Sequence, residues 1–183
     1  IRSFGFSEIA PSSLKKAAEI HHVAAVQSEY SLSVRSPELG LVQATKQLGT
    51  ALVAFSPLGR SLLTNRPHTT QKVATMGFLK NNPRFIEPNL SANIQATAKF
   101  RALAEEMDTS AAALSIAWLL HQSEHIIAIP GTRSVPHFLE HCAGARLSLS
   151  KEAIAQIESV LPVGWAHGDR YSQQQWIGPE RYC

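Results

Sequence analysis

Ile126-Ile-Ala-Ile-Pro-Gly-Thr-Arg-Ser-Val-Pro-His-Phe-Leu-Glu-His141 is the stretch on which the fold turns. A short apolar run, Ile126–Ile129, breaks at Pro130-Gly131. The small polar and basic segment Thr132-Arg133-Ser134 follows, and a helical pattern starts behind it. Strand, glycine turn with a hydroxyl and a guanidinium, then helix N-terminus is how an α/β protein builds an anion site, because free backbone N–H groups and a cation converge there.

The same pattern recurs upstream. Strand-like segments at Ile1–Phe6, Val23–Gln27 and Ala51–Phe55 are each followed by a helical stretch: 12–20 with Ser12 as N-cap, 38–48 ending at Gly49, and a pair at 90–107 and 111–122, the second capped by Ser110. Helices at 135–142 and 151–160, the latter capped by Ser150, follow the fourth strand. Alternating β and α predicts parallel strands with right-handed crossovers and helices outside. Four units do not close a barrel, which takes roughly 250 residues. The 183-residue chain therefore reads as half of a (β/α)8 barrel, whose open edges need four more βα units from the same chain or another copy. The start on Ile1, inside a strand pattern, fits the latter part of a longer protein. The segment 60–88, rich in Thr, Asn, Pro and Arg, reads as a long binding-type loop with a short helical turn, and 162–183 as an aperiodic tail.

Composition narrows the function classes. Charged residues are 17% and hydrophobic residues 44%, which is globular. The net charge of +3 is spread without like-charge runs, so no nucleic-acid footprint shows. No apolar run approaches the ~18 residues of a membrane span. Two cysteines, Cys142 and Cys183, form no disulfide framework, and a cytoplasmic setting is expected.

In a parallel α/β barrel the strand C-termini carry the chemistry. Here those ends are Ser7-Glu8, Gln27-Ser28-Glu29-Tyr30, Phe55-Ser56-Pro57-Leu58-Gly59-Arg60 and Gly131-Thr132-Arg133. Hydroxyl, amide, aromatic face and anion site on one rim suit a flat ligand with an amide and a phosphate. A metal alternative lies in His137-Phe-Leu-Glu140-His141, whose i,i+4 histidines share a helix face and whose order matches an inverted zinc-protease motif. A plain solvated helix face is the bland alternative. His121, His125 and the His21-His22 pair read as structural, and Trp118 as core. Trp165, Tyr171 and Trp176 either line a substrate pocket or pack against the barrel.

FGFSE (4–8), VQSEYS (26–31), AFSPLGR (54–60) and IPGTRS (129–134), in this order and spacing, resemble the aldo-keto reductase family, the whole chain matching the C-terminal half of its barrel. The likeness is greatest to the bacterial and plant branch that reduces pyridoxal-like or other aldehydes. The resemblance implies an NADP(H)-dependent reduction of aldehydes or ketones. By it, Ser7 and Gln27 hydrogen-bond the nicotinamide carboxamide, and Phe55 stacks on the ring where Tyr or Trp is commoner. Ser56, Leu58 and Arg60 lie over the pyrophosphate. Gly131, Thr132 and Arg133 bind the 2′-phosphate, and the planar guanidinium favours NADP(H). His137, Glu140 and His141 flank the adenosine, with His141 replacing the usual Asn. The family's catalytic Asp, Tyr, Lys and His belong to the other half of the barrel. Asp108, Asp169, Tyr30, Tyr171 and Tyr182 match none of them. A cofactor-binding regulatory subunit, like a channel β-subunit, is the alternative within the family.

Overall fold

The computed structural model describes residues 1–181, and Tyr182 and Cys183 lie outside the described residues. Four strands form one parallel sheet in sequential order: β1 (Gly5–Ser7), β2 (Ala25–Glu29), β3 (Ala51–Phe55) and β4 (Ile126–Ile129). The helices are α1 (Pro11–Ile20), α2 (Leu41–Gln47), α3 (Thr70–Ala74), α4 (Asn89–Ala96), α5 (Ala98–Glu106), α6 (Ala111–His121), α7 (Val135–Arg146) and α8 (Lys151–Val160).

Side chains alternate across the sheet, as the strand period requires. Val26, Leu52, Ala54 and Ile126 are buried against Leu14, Leu41, Leu114, Trp118 and Ile157 of the helices. The opposite face carries Ser7, Gln27, Val53 and Ile127 in one register row and Glu29, Phe55 and Ile129 in the next. Ile127 and Ile129 are 51% and 41% exposed there. Helices thus cover one face; on the other, concave, face Ser7, Gln27, Ile127 and Ile129 are exposed while Glu29 is buried, and no further strand pairs with β1 or β4 among the described residues. Burying each large core side chain contributes roughly 1.5–3 kcal/mol. Trp118 is fully buried, meets the Tyr30 ring edge-on at 5.9 Å, and donates its indole N–H to Glu158 at 3.3 Å.

β3 and β4 fall where the apolar runs predict, whereas β1 is shorter and β2 lies two residues later than expected. Pro11 takes the first helical position of α1, so Ala10, not Ser12, is its N-cap. The helix expected at 38–48 is interrupted at Gly40, whose φ of 136° no helix accepts, leaving a 3₁₀ turn at Ser36–Leu39 before α2. The helix expected at 90–107 divides at Thr97, whose hydroxyl donates back to the Asn93 carbonyl at 2.9 Å. Ser110 and Ser150 cap α6 and α8, each accepting from the third residue beyond at 3.1 Å. α7 continues past Cys142 to Arg146.

The 60–88 segment carries its own small core, Leu62, Val73, Leu79 and Phe85 packed with Leu90. The tail folds back along it. Asn82 donates to the Arg170 carbonyl at 2.8 Å, Arg84 to that of Gly168 at 3.3 Å, and Asn93 to that of His167 at 3.0 Å. Among the described residues no helix is long and apolar enough to cross a membrane.

Candidate functional site

A cleft of about 800 Å³ opens where the loop after β3 faces the turn after β4. Ser56, Leu58, Arg60, Gly131, Thr132, His137, Glu140 and His141 all line it. Arg133 stands exposed on the turn between Thr132 and α7. Ser7 and Gln27 are neighbours in register on the concave sheet face, with Phe55 one row above them. Eight of the twelve predicted residues thus share the cleft, and three of the others lie on the adjoining concave face.

Two helix N-termini border the cleft. At α7 the N-cap Ser134 makes no side-chain cap and Pro136 has no N–H, so the amides of Val135 and His137 are the first-turn donors free toward an anion. Ser134 N–H donates to Thr132 Oγ1 at 3.1 Å, which shapes the Gly131–Ser134 turn. At α6 the Ala111 N–H donates to Asn65 Oδ1 at 2.8 Å, which pins the far end of the β3 loop. Gly144 lets α7 approach α6: a Cβ there would lie 2.5 Å from the Ala113 carbonyl oxygen.

The β3 loop is built under strain. Ser56, Arg60 and Ser61 have φ of 50°, 54° and 88°, a region that non-glycine residues enter at about 1–3 kcal/mol each. Ser115 Oγ holds the Pro57 carbonyl at 2.9 Å, and Glu29 holds Arg60. The Arg60 guanidinium grips both Glu29 oxygens, at 2.6 and 2.8 Å. Arg60 therefore lines the cleft with its cation already engaged. Glu29 is fully buried, and Arg170 Nε donates to it at 2.8 Å. Arg170 Nη2 also bonds Glu8, which accepts from Ser28 Oγ at 3.0 Å and from the Glu29 N–H at 2.7 Å. Burial alone would lower the Arg170 pKa, but the Glu29 and Glu8 carboxylates outweigh it and raise it. Burial raises the Tyr171 hydroxyl, which accepts from both Arg60 and Arg170.

Sequence reasoning missed Arg66 and His68, which also line the cleft. The available signal was a pair of basic residues in a loop already read as ligand-binding. It also missed the Glu8–Arg170–Glu29–Arg60 network, for which the sequence carries no local pattern. His141 is 6% exposed, its Nδ1 has no partner, and burial lowers its pKa. Among the described residues no group of three His, Cys, Asp or Glu side chains is placed to hold a metal ion, so His137-x-x-Glu140-His141 lacks the ligand set for zinc. His125 bonds Thr45 and Ser123, at 2.9 and 2.8 Å, in a structural role. The tail lies across the ends of β1 and β2, where Arg170 and Tyr171 close over Glu8 and Glu29.

Residues 1–162 match the family model described as Aldo/keto reductase family. A probable aldo-keto reductase 1 from Glycine max is 32% identical over 171 residues, 93% of this chain and 49% of that protein. The aldo-keto reductase yakc [NADP(+)] from Schizosaccharomyces pombe is 30% identical over 174 residues, 93% of this chain and 51% of that one. The chain spans about half the length of these relatives. Among solved structures, the glycerol dehydrogenase AKR11B4 from Gluconobacter oxydans superposes with a TM-score of 0.73 at 24% identity, over 88% of this chain and 49% of that one. An aldo/keto reductase from Klebsiella pneumoniae, in complex with NADP and acetate, gives 0.66 at 21% identity over 94% and 52%. These neighbours are (β/α)8 barrels, and the four βα units here are half of one.

Proposed function

This chain belongs to the aldo/keto reductase family, and from that premise we propose that its cleft and concave sheet face hold NADP(H) for the reduction of an aldehyde or ketone to an alcohol. One observation carries most weight. Eight predicted cofactor-binding residues, 56 to 141 in sequence, line a single cleft beside an uncapped helix N-terminus.

The donor set fits the cofactor. In this reading Gly131, Thr132 and Arg133 hold the 2′-phosphate with the first-turn amides of α7. His137 and Glu140 flank the adenosine. His141 lines the same cleft and flanks the adenosine beside them. The backbone of 56–60 lies along the pyrophosphate, and Arg66 supplies positive charge that Arg60, held by Glu29, does not; His68, whose pKa is lowered by burial, offers a neutral imidazole for hydrogen bonding. Ser7 and Gln27 bond the carboxamide, and Phe55 offers its ring face to the nicotinamide. When bound, NADPH supplies the hydride.

Among the described residues none takes the proton-donor role. Asp108 lies in the turn before α6, Asp169 Oδ1 accepts the Arg170 N–H at 2.6 Å, and Tyr171 is enclosed by two guanidinium groups. The proton donor belongs to four further βα units covering the concave face, in the same chain or another copy. The substrate class favoured by the motif resemblance is a pyridoxal-like or related aldehyde.

Arg133→Ala tests the cofactor assignment. Losing a charge-assisted bidentate contact costs about 1.5–3 kcal/mol, or roughly ten- to hundred-fold in NADPH affinity. NADH affinity stays near wild type. Equal loss of both removes Arg133 from the 2′-phosphate.

A further inference from the structure

We infer that Arg170, on the C-terminal tail, is a positioning residue for the cofactor loop: it bridges Glu8 and Glu29 and thereby holds the ends of β1 and β2 and the 56–61 loop in their binding geometry. The inference rests on the cofactor proposal above.

The geometry is a chain of ion pairs joining three strand ends. Glu8 directly follows Ser7, and Glu29 stands two residues past Gln27 on the same strand face. Glu29 in turn grips Arg60, which sits in the middle of the strained loop. Glu8 itself has φ of 54°, so its backbone also needs an external hold. Arg170 is the guanidinium that touches both carboxylates, through Nη2 to Glu8 and Nε to Glu29. Removing it leaves two buried carboxylates side by side, with Arg60 bonded to Glu29 and no cation bonded to Glu8 among the described residues. The repulsion is relieved by moving Glu8, Glu29 or the Arg60 loop, and each motion displaces a residue assigned to the cofactor.

Arg170 is also aligned with the stacking ring. Its guanidinium carbon lies 6.0 Å from the Phe55 ring centroid, 4.5 Å from that of Tyr171 and 5.5 Å from that of Trp176. Planar stacking and two-point bridging are both properties of arginine that lysine lacks.

Docking of the tail does not depend on this side chain. Asn82, Arg84 and Asn93 hold the backbone at Arg170, Gly168 and His167, and Trp165 Nε1 donates to the Leu32 carbonyl at 2.8 Å. Arg170→Lys keeps one cation beside the carboxylates while it breaks the bridge.

The test is stopped-flow NADPH and NADH dissociation from wild type, Arg170→Lys and Arg170→Ala, with thermal unfolding of each. NADPH and NADH should both dissociate roughly ten-fold faster from the lysine variant, at near wild-type unfolding temperature. The NADPH-to-NADH preference should be unchanged, because the bridge lies away from Arg133. Sub-denaturing guanidinium ion should restore slow release to the alanine variant, a rescue that general loosening of the fold would not show. Wild-type dissociation rates in the lysine variant overturn the inference, whether or not the alanine variant folds. Wild-type protein that binds neither dinucleotide sinks the cofactor proposal itself, a distinct outcome.

Discussion

Gly144→Ala sets two known effects against each other at the α6–α7 contact. Alanine in place of a mid-helix glycine stabilises by about 0.5–1 kcal/mol through backbone entropy and propensity. Against that, the new Cβ would stand 2.5 Å from the Ala113 carbonyl oxygen, 2.8 Å from its Cα and 3.0 Å from Ile116 Cβ. Two of those atoms are helix backbone and cannot rotate away. Reaching ordinary contact at 3.4 Å requires the helices to part by about 0.9 Å. Overpacking costs about 1–3 kcal/mol, and two backbone contacts below 3.0 Å put this case at the upper end, about 2–3 kcal/mol, so the clash wins and net destabilisation is about 1–2 kcal/mol. For a chain of this size that lowers the melting temperature by roughly 2–8 °C. The α7 N-terminus moves with its helix, so NADPH affinity falls as well. Urea unfolding followed by tryptophan fluorescence reads the stability, and dinucleotide fluorescence reads the affinity. A raised melting temperature would show that α7 is free to move and would refute the close packing as the reason for glycine.

Other perturbations give equally definite expectations. Glu29→Gln leaves Arg60 and Arg170 buried without their shared carboxylate and should cost about 3–5 kcal/mol in urea unfolding, whereas under 1 kcal/mol would mean that the site is open to water. Ser110→Ala removes the α6 cap and should cost about 1 kcal/mol, and no change would mean that the Ser110–Ala113 bond adds nothing. Burial holds the folded-state pKa of His141 below the ordinary imidazole value, so the unfolded chain takes up its proton first. Its contribution to stability is therefore whole above about pH 6.5 and falls as the pH drops through that value. Comparing urea midpoints near pH 8 and about pH 5.5 should show a smaller loss in His141→Asn than in wild type, and an equal loss places the titration elsewhere.

The sheet was legible because its strands are bounded by strong punctuation. Gly49 and Ser56-Pro57 delimit β3, and Pro130-Gly131 ends β4, where the apolar runs stop abruptly. β2 was less legible, since Gln27, Ser28 and Glu29 look like a loop until the buried network around Glu29 is seen. The Thr97 break was hidden because threonine leaves the helical period intact. The cleft was readable as motifs at strand ends, a rule of parallel barrels that needs no long-range information. The ion-pair chain was not readable: Arg170 meets Glu29 and Glu8 across 141 and 162 positions, and isolated charges at such separation leave no periodic trace. The same holds for Arg60, which looks like a free phosphate ligand until its carboxylate partner is located.

Calorimetric titration with 2′,5′-ADP tests the central claim most directly, because that ligand spans the adenosine and 2′-phosphate positions assigned to this chain and carries no nicotinamide. Saturable one-site binding, tighter than that of 5′-ADP and lost in Arg133→Ala, is the predicted result. No binding, or equal affinity for the two nucleotides, would contradict the assignment of the Gly131–Arg133 turn and the α7 N-terminus to the 2′-phosphate.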